Sequence, residues 1–149
     1  MAVQTQEARG DGGTRNIAKR GGFYGSHVYI ENRDSTPGAV AKVEFFKDVD
    51  GVPTGYEYLD SKQFLQITDF DMLVCSVGYR DRPPVGMALW NDSVEAEIWI
   101  FKENAGRRQY IDYLPPPDAK GSFSFGEKNG FYIAPGEVFR FLAVEPLKK

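Results

Sequence analysis

From Val94 to Lys102 the chain alternates. Val94, Ala96, Ile98 and Ile100 are apolar and stand at even positions, the period-two signature of a strand with one face on a core. The odd positions begin with Glu95 and Glu97 and end with Trp99 and Phe101, so the second face turns from wet to aromatic along one strand and requires cover of its own. The same period recurs from Ala39 to Lys47, with Ala41, Val43 and Phe45 on one side and Lys42, Glu44 and Phe46 on the other. It recurs again from Glu137 to Glu145, where Phe139, Phe141 and Ala143 oppose Val138, Arg140, Leu142 and Val144.

Between these segments lie turn formers and further short strands. Ser26–Glu31 reads as a strand closed by the loop Asn32–Gly38, and Asp48–Gly51 as a hairpin turn leading to a return strand at Tyr56–Tyr58. Ser61 could cap a short helix, but the β-branched and aromatic content that follows favours two short strands, near 63–68 and 72–79. Met87–Trp90 is another strand. Arg107–Leu114 pairs with Val94–Lys102 in a hairpin expected to form the centre of the domain, and the prolines at 115–117 end it. Gly121–Gly126 alternates, and Pro135-Gly136 turns the chain into its last strand. No internal repeat is visible. This pattern predicts an all-β chain, an antiparallel, jelly-roll-like β-sandwich.

Composition adds an arm to this body. Residues 1–22 contain five glycines and no aromatic residue, while all 21 aromatics lie from Phe23 onward, so the stretch cannot offset its ordering entropy by burial. A flexible arm at 1–22 and one domain at 23–149 are expected. Arg9, Arg15, Lys19 and Arg20 against Glu7 and Asp11 leave the arm at +2; the net charge of −3 therefore puts −5 on the body. An acidic body disfavours nucleic acid and anionic membranes as partners. Met1–Gly10 lacks the pattern of a signal peptide, which predicts a protein that stays in the cytoplasm where it is made, and no apolar run is long enough to span a membrane.

Candidate chemistry is sparse. His27 is the sole histidine and Cys75 the sole cysteine, so no disulfide within the chain and no multi-cysteine zinc site can form, and a catalytic triad would have to be built on His27. Carboxylate pairs Glu95/Glu97 and Asp69/Asp71 read as wet strand faces, Asp48-x-Asp50-Gly51 as a turn lacking the other ligands of a calcium loop, and Arg9-Gly10-Asp11 as a chance adhesion tripeptide. The expectation is a non-enzymatic protein without cofactor or metal. Trp90, Trp99, Tyr110 and Tyr113 could instead form a stacking platform for sugars, which keeps a carbohydrate-binding module as the alternative.

A basic arm before an all-β body, proline-stiffened loops and strands apolar on both faces resemble virion structural proteins, and most of all the capsid-decorating, or cement, proteins of tailed phages; tail and baseplate components share these features. The resemblance implies a protein of the virion that binds the major capsid protein of an assembled shell and copies of itself, as a dimer or trimer. The residues expected to make those contacts are Arg15, Lys19 and Arg20 in the arm and Phe46, Trp99 and Phe101 on the strands.

Overall fold

The computed structural model describes residues 14–17, 25–48, 51–77, 83–117 and 127–144. Eleven strands are present among them: β1 (Thr14–Ile17), β2 (His27–Asn32), β3 (Ala41–Phe46), β4 (Gly55–Leu59), β5 (Phe64–Thr68), β6 (Met72–Ser76), β7 (Val85–Asn91), β8 (Glu97–Asn104), β9 (Arg107–Leu114), β10 (Glu127–Ile133) and β11 (Glu137–Val144). They form a sandwich of two sheets, ordered β1-β5-β2-β7-β10 and β4-β3-β6-β11-β8-β9. Every pairing is antiparallel except β1 on β5. The antiparallel β-sandwich expected from the period-two pattern is the fold observed.

One core fills the space between the sheets. The inward residues of β2, β5 and β7 (Val28, Ile30, Leu65, Ile67, Val85, Met87, Leu89) meet those of β3, β6, β8 and β11 (Val43, Phe45, Leu73, Cys75, Ile98, Ile100, Phe141), all buried. At about 25 cal/mol per Å² of apolar surface removed from water, this layer is the main term holding the sheets together. Phe131 of β10 reaches across to Phe139 and Phe141, with ring centroids 4.8 and 5.3 Å apart.

The sheet orders conceal a duplication. The chain runs β2 in the first sheet, β3 and β4 in the second, β5 in the first and β6 in the second; β7, β8, β9, β10 and β11 repeat that path. The same path from sheet to sheet is thus traced twice. The registers obey a pseudo-dyad: Val28 pairs with Asn91 as Asn32 pairs with Met87, and Leu73 pairs with Phe141 as Cys75 pairs with Phe139. The pseudo-axis passes between Ile30 and Leu89 in one sheet and between Val74 and Arg140 in the other. No repeat is visible in the sequence, and the duplication is one of topology and register.

The duplication is clearest at two corners. Buried Asn32 donates from Nδ2 to the carbonyls of Ala39 (2.8 Å) and Leu59 (2.9 Å) and accepts the Asp34 N–H at Oδ1 (3.0 Å). Buried Asn91 donates to the carbonyls of Ala96 and Leu114 (2.9 Å each) and accepts the Ser93 N–H (3.0 Å). Each corner then ties itself to the other half: the Asp34 carboxylate accepts the Gly86 N–H, and the Ser93 hydroxyl accepts the His27 N–H, both at 2.9 Å. Ser93 hydroxyl also donates to the His27 carbonyl. A buried amide satisfied by two carbonyls and one N–H fixes the turn leaving β2 and β7 without an apolar anchor.

Several local expectations change. Val94 is 72% exposed, because the Asn91 corner claims the chain until Ala96 and the strand starts only at Glu97. The β8–β9 hairpin lies at the edge of its sheet and not at the centre; its Ala105-Gly106 turn has both residues at positive φ (54° and 81°). Ser61-Lys62 makes a turn, with Lys62 at φ 66°, and no helix. Pro135-Gly136 turns as expected, Gly136 at φ 91° and the Glu137 N–H donating to the Ala134 carbonyl at 3.0 Å. Gly121–Gly126 lies outside the described residues.

Candidate functional site: the outer face of the six-stranded sheet

Strand registers place three rows of side chains across the outside of the second sheet. The first runs Phe46, Met72, Leu142, Trp99, Tyr113, each the direct cross-strand partner of the next. The middle row runs Tyr56, Glu44, Val74, Arg140, Phe101, Tyr110. The last runs Tyr58, Lys42, Ser76, Val138, Glu103, Arg108. Phe46, Trp99 and Phe101, expected from sequence to need cover, therefore share one face.

Phe46, Met72 and Val74 form a second apolar cluster with Val138 and Leu142 packed against it, outside the main core. This explains why β6 is buried on both sides over Met72–Cys75. Towards β9 the face opens: Trp99 is 37% exposed, Tyr110 48% and Tyr113 44%. Their rings meet edge to face, Trp99 and Phe101 each lying 5.7 Å from Tyr110 at interplanar angles of 66° and 70°. A single bulge in β9, which leaves Ile111 without a partner between Tyr110 and Asp112, brings both tyrosines to this side.

The pseudo-dyad supplies an internal comparison. It carries the last row onto the first: Tyr58 onto Tyr113, Lys42 onto Trp99, Ser76 onto Leu142, and Glu103 onto Phe46. The tyrosine is kept, whereas Lys, Ser and Glu in one row stand where Trp, Leu and Phe stand in the other. The backbone geometry accepts polar residues at these positions, so the apolar row is not a requirement of the fold.

Charges on the face balance and are paired in place. Lys42 lies 3.7 Å from Glu44; the Arg140 guanidinium donates to Glu103 at 2.7 Å, with Arg108 at 3.9 Å from the same carboxylate; the Trp99 indole N–H donates to Glu97 at 2.9 Å. The Arg140 hydrogen bond, opposed by partial desolvation, holds the Glu103 carboxyl below its ordinary value.

Elsewhere the expected sites disperse. Trp90 lies on β7, outside the other sheet, edge-on to Tyr29 at 4.9 Å, so the four-ring sugar platform does not assemble, and the rings that do meet are not coplanar. His27 is tied to Ser93 through its backbone and not its ring. Asp69 accepts the Gly25 N–H at 3.2 Å. Cys75 is buried in the core, where desolvation pushes its thiol far above the ordinary range. Among the described residues no three His, Cys, Asp or Glu side chains group to hold a metal, and no helix is long and apolar enough to cross a membrane. Arg15 lies on β1, whose backbone pairs with β5 inside the stretch expected to be an arm; Lys19, Arg20 and Arg9-Gly10-Asp11 lie outside the described residues. Missed from sequence were Tyr56, Tyr58, Met72 and Leu142 as members of the face; the alternation of each strand carried the signal, but not which strands adjoin.

Comparison of the chain with protein-family models, with curated proteins and with solved structures finds no match.

Proposed function

We propose that this is a non-enzymatic structural protein of a virion, which binds the outside of an assembled capsid shell and works by docking large surfaces. The observation that supports this reading is the apolar row Phe46–Met72–Leu142–Trp99–Tyr113, set where the pseudo-equivalent row carries Tyr58, Lys42, Ser76 and Glu103. Apolar residues that the fold does not demand on an outer sheet face serve an interface. The buried polar side chains Asn32, Asn91, Ser26 and Ser93 hold loops, and the reading rests on the area of the face. The basic N-terminal residues, Arg15 on β1 together with Lys19 and Arg20, then supply charge towards an acidic shell protein.

Co-sedimentation with capsids stripped of the protein tests this. The full chain is retained, and deletion of residues 1–22 weakens retention, more so at high salt because exposed pairs are screened. A chain that ignores capsids and is retarded on a polysaccharide gel would transfer the reading to a carbohydrate-binding module.

A further inference from the structure

The geometry points to a second copy of this chain as the occupant of the outer face, docked face to face about a two-fold axis that runs parallel to the strands between β6 and β11. The inference rests on the docking role assigned to this face above and names a second copy as its occupant, so that the pair meets the shell through its other surfaces. The body carries −5, so most surfaces of two copies repel; this face holds Lys42, Arg108 and Arg140 against Glu44, Glu97 and Glu103 and is neutral. It is where two acidic bodies can meet without a repulsive cost.

Register then selects the axis. A two-fold across the strands would lay the apolar row of one copy on the charged row of the other. A two-fold along the strands lays each row on itself, reversed. Trp99 of one copy then faces Phe46 of the second, and Leu142 faces Met72. In the last row Lys42 faces Glu103, Tyr58 faces Arg108 and Ser76 faces Val138; in the middle row Tyr56 faces Tyr110, Glu44 faces Phe101 and Val74 faces Arg140. The first and last rows are complementary to their own reversed images, as a closed isologous dimer requires, while the middle row lays Glu44 on Phe101 and Arg140 on Val74 and leaves those charges to their in-chain partners Lys42 and Glu103. Packed sheets cross at about 30°, a rotation small enough to keep neighbouring rows together.

Size agrees with this. Six strands at about 4.8 Å spacing and mostly five to eight residues long at about 3.3 Å rise present roughly 600 Å² in projection, and more as accessible surface. That approaches the ~800 Å² per partner of a standard interface.

Lys42 and Glu103 decide the matter because within one copy they stand on β3 and β8, three strand spacings or about 14 Å apart, too far to couple. Sedimentation of the wild-type chain should show a species of twice 16.7 kDa. Lys42→Glu and Glu103→Lys should each raise the dimer dissociation constant at least tenfold, and the double swap should restore it to within about threefold of wild type, as for directly paired interface charges. Because Glu103→Lys also removes the in-chain bonds to Arg140 and Arg108, a second readout leaves the face intact: in a Trp90→Phe background, acrylamide quenching of Trp99 should fall with protein concentration in step with sedimentation. A chain monomeric at every concentration, a double swap without recovery, or Trp99 quenching that ignores concentration would each overturn the inference. Scoring the same variants for capsid retention separates the two proposals. A monomer that binds capsids refutes self-pairing alone, and a dimer that ignores them refutes the shell role alone.

Discussion

Replacing Asn32 or Asn91 by alanine removes the same three hydrogen bonds from each half of the molecule: two from Nδ2 to buried carbonyls at 2.8–2.9 Å and one to Oδ1 at 3.0 Å. At about 1 kcal/mol net per bond the direct loss is ~3 kcal/mol. The carbonyls left behind belong to Ala39 and Leu59 or to Ala96 and Leu114, all 5% exposed or less, so orphaning them adds about 1 kcal/mol or more where water cannot enter. Each alanine variant should thus lose roughly 3–5 kcal/mol, a large part of the ~5–15 kcal/mol that holds such a domain. Asparagine to aspartate should be worse, since a carboxylate oxygen would face two carbonyl oxygens inside the protein. Urea unfolding followed by tryptophan fluorescence measures this, read as a fall in midpoint at unchanged slope. Matched bonding predicts that the two alanine variants lose the same stability to within about 1 kcal/mol. A loss below ~1 kcal/mol at either site, or a difference above ~2 kcal/mol between them, would refute the claim that the corners are equivalent and structural.

Two further outcomes follow from ionisation and burial. Asp34, Glu103 and Glu137 are held below their ordinary values, chiefly by hydrogen bonds from Thr36, from Arg140 and from the Ala134 N–H respectively. Each binds a proton more readily in the unfolded chain, so their stabilisation is complete above the ordinary carboxylate range of about 4 and is lost as pH falls through the lower folded values. The melting temperature should therefore fall progressively on acidification below that range, and less so in Asp34→Asn. Cys75, buried with its thiol pushed up, should be inert to an aromatic disulfide reagent in the folded protein and react at once in urea; fast reaction in buffer would contradict its place in the core.

Much of the fold was legible because alternation is local. The inward sets Ala41-Val43-Phe45, Ile98-Ile100 and Phe139-Phe141 follow from parity alone, as does the turn at Pro135-Gly136. Val94 misled for the same reason: it continues the parity of Ala96 and Ile98, but a side chain on another strand end, Asn91, bonds the Ala96 carbonyl and holds the preceding residues in a corner.

What sequence could not supply is adjacency. Parity put Phe46 opposite Phe45 and placed Trp99 and Phe101 together, yet only the order β3-β6-β11-β8 set all three on one surface and sent Trp90 to the far side of the sandwich. The duplication was hidden likewise. Its two halves share an asparagine corner and matching hydrogen bonds, while loops of different length and exchanges such as Lys42 for Trp99 remove the likeness from the linear chain. Which residues adjoin is fixed by pairing between strands distant in sequence, and that register is chosen by burial of the whole core, not by any stretch read alone.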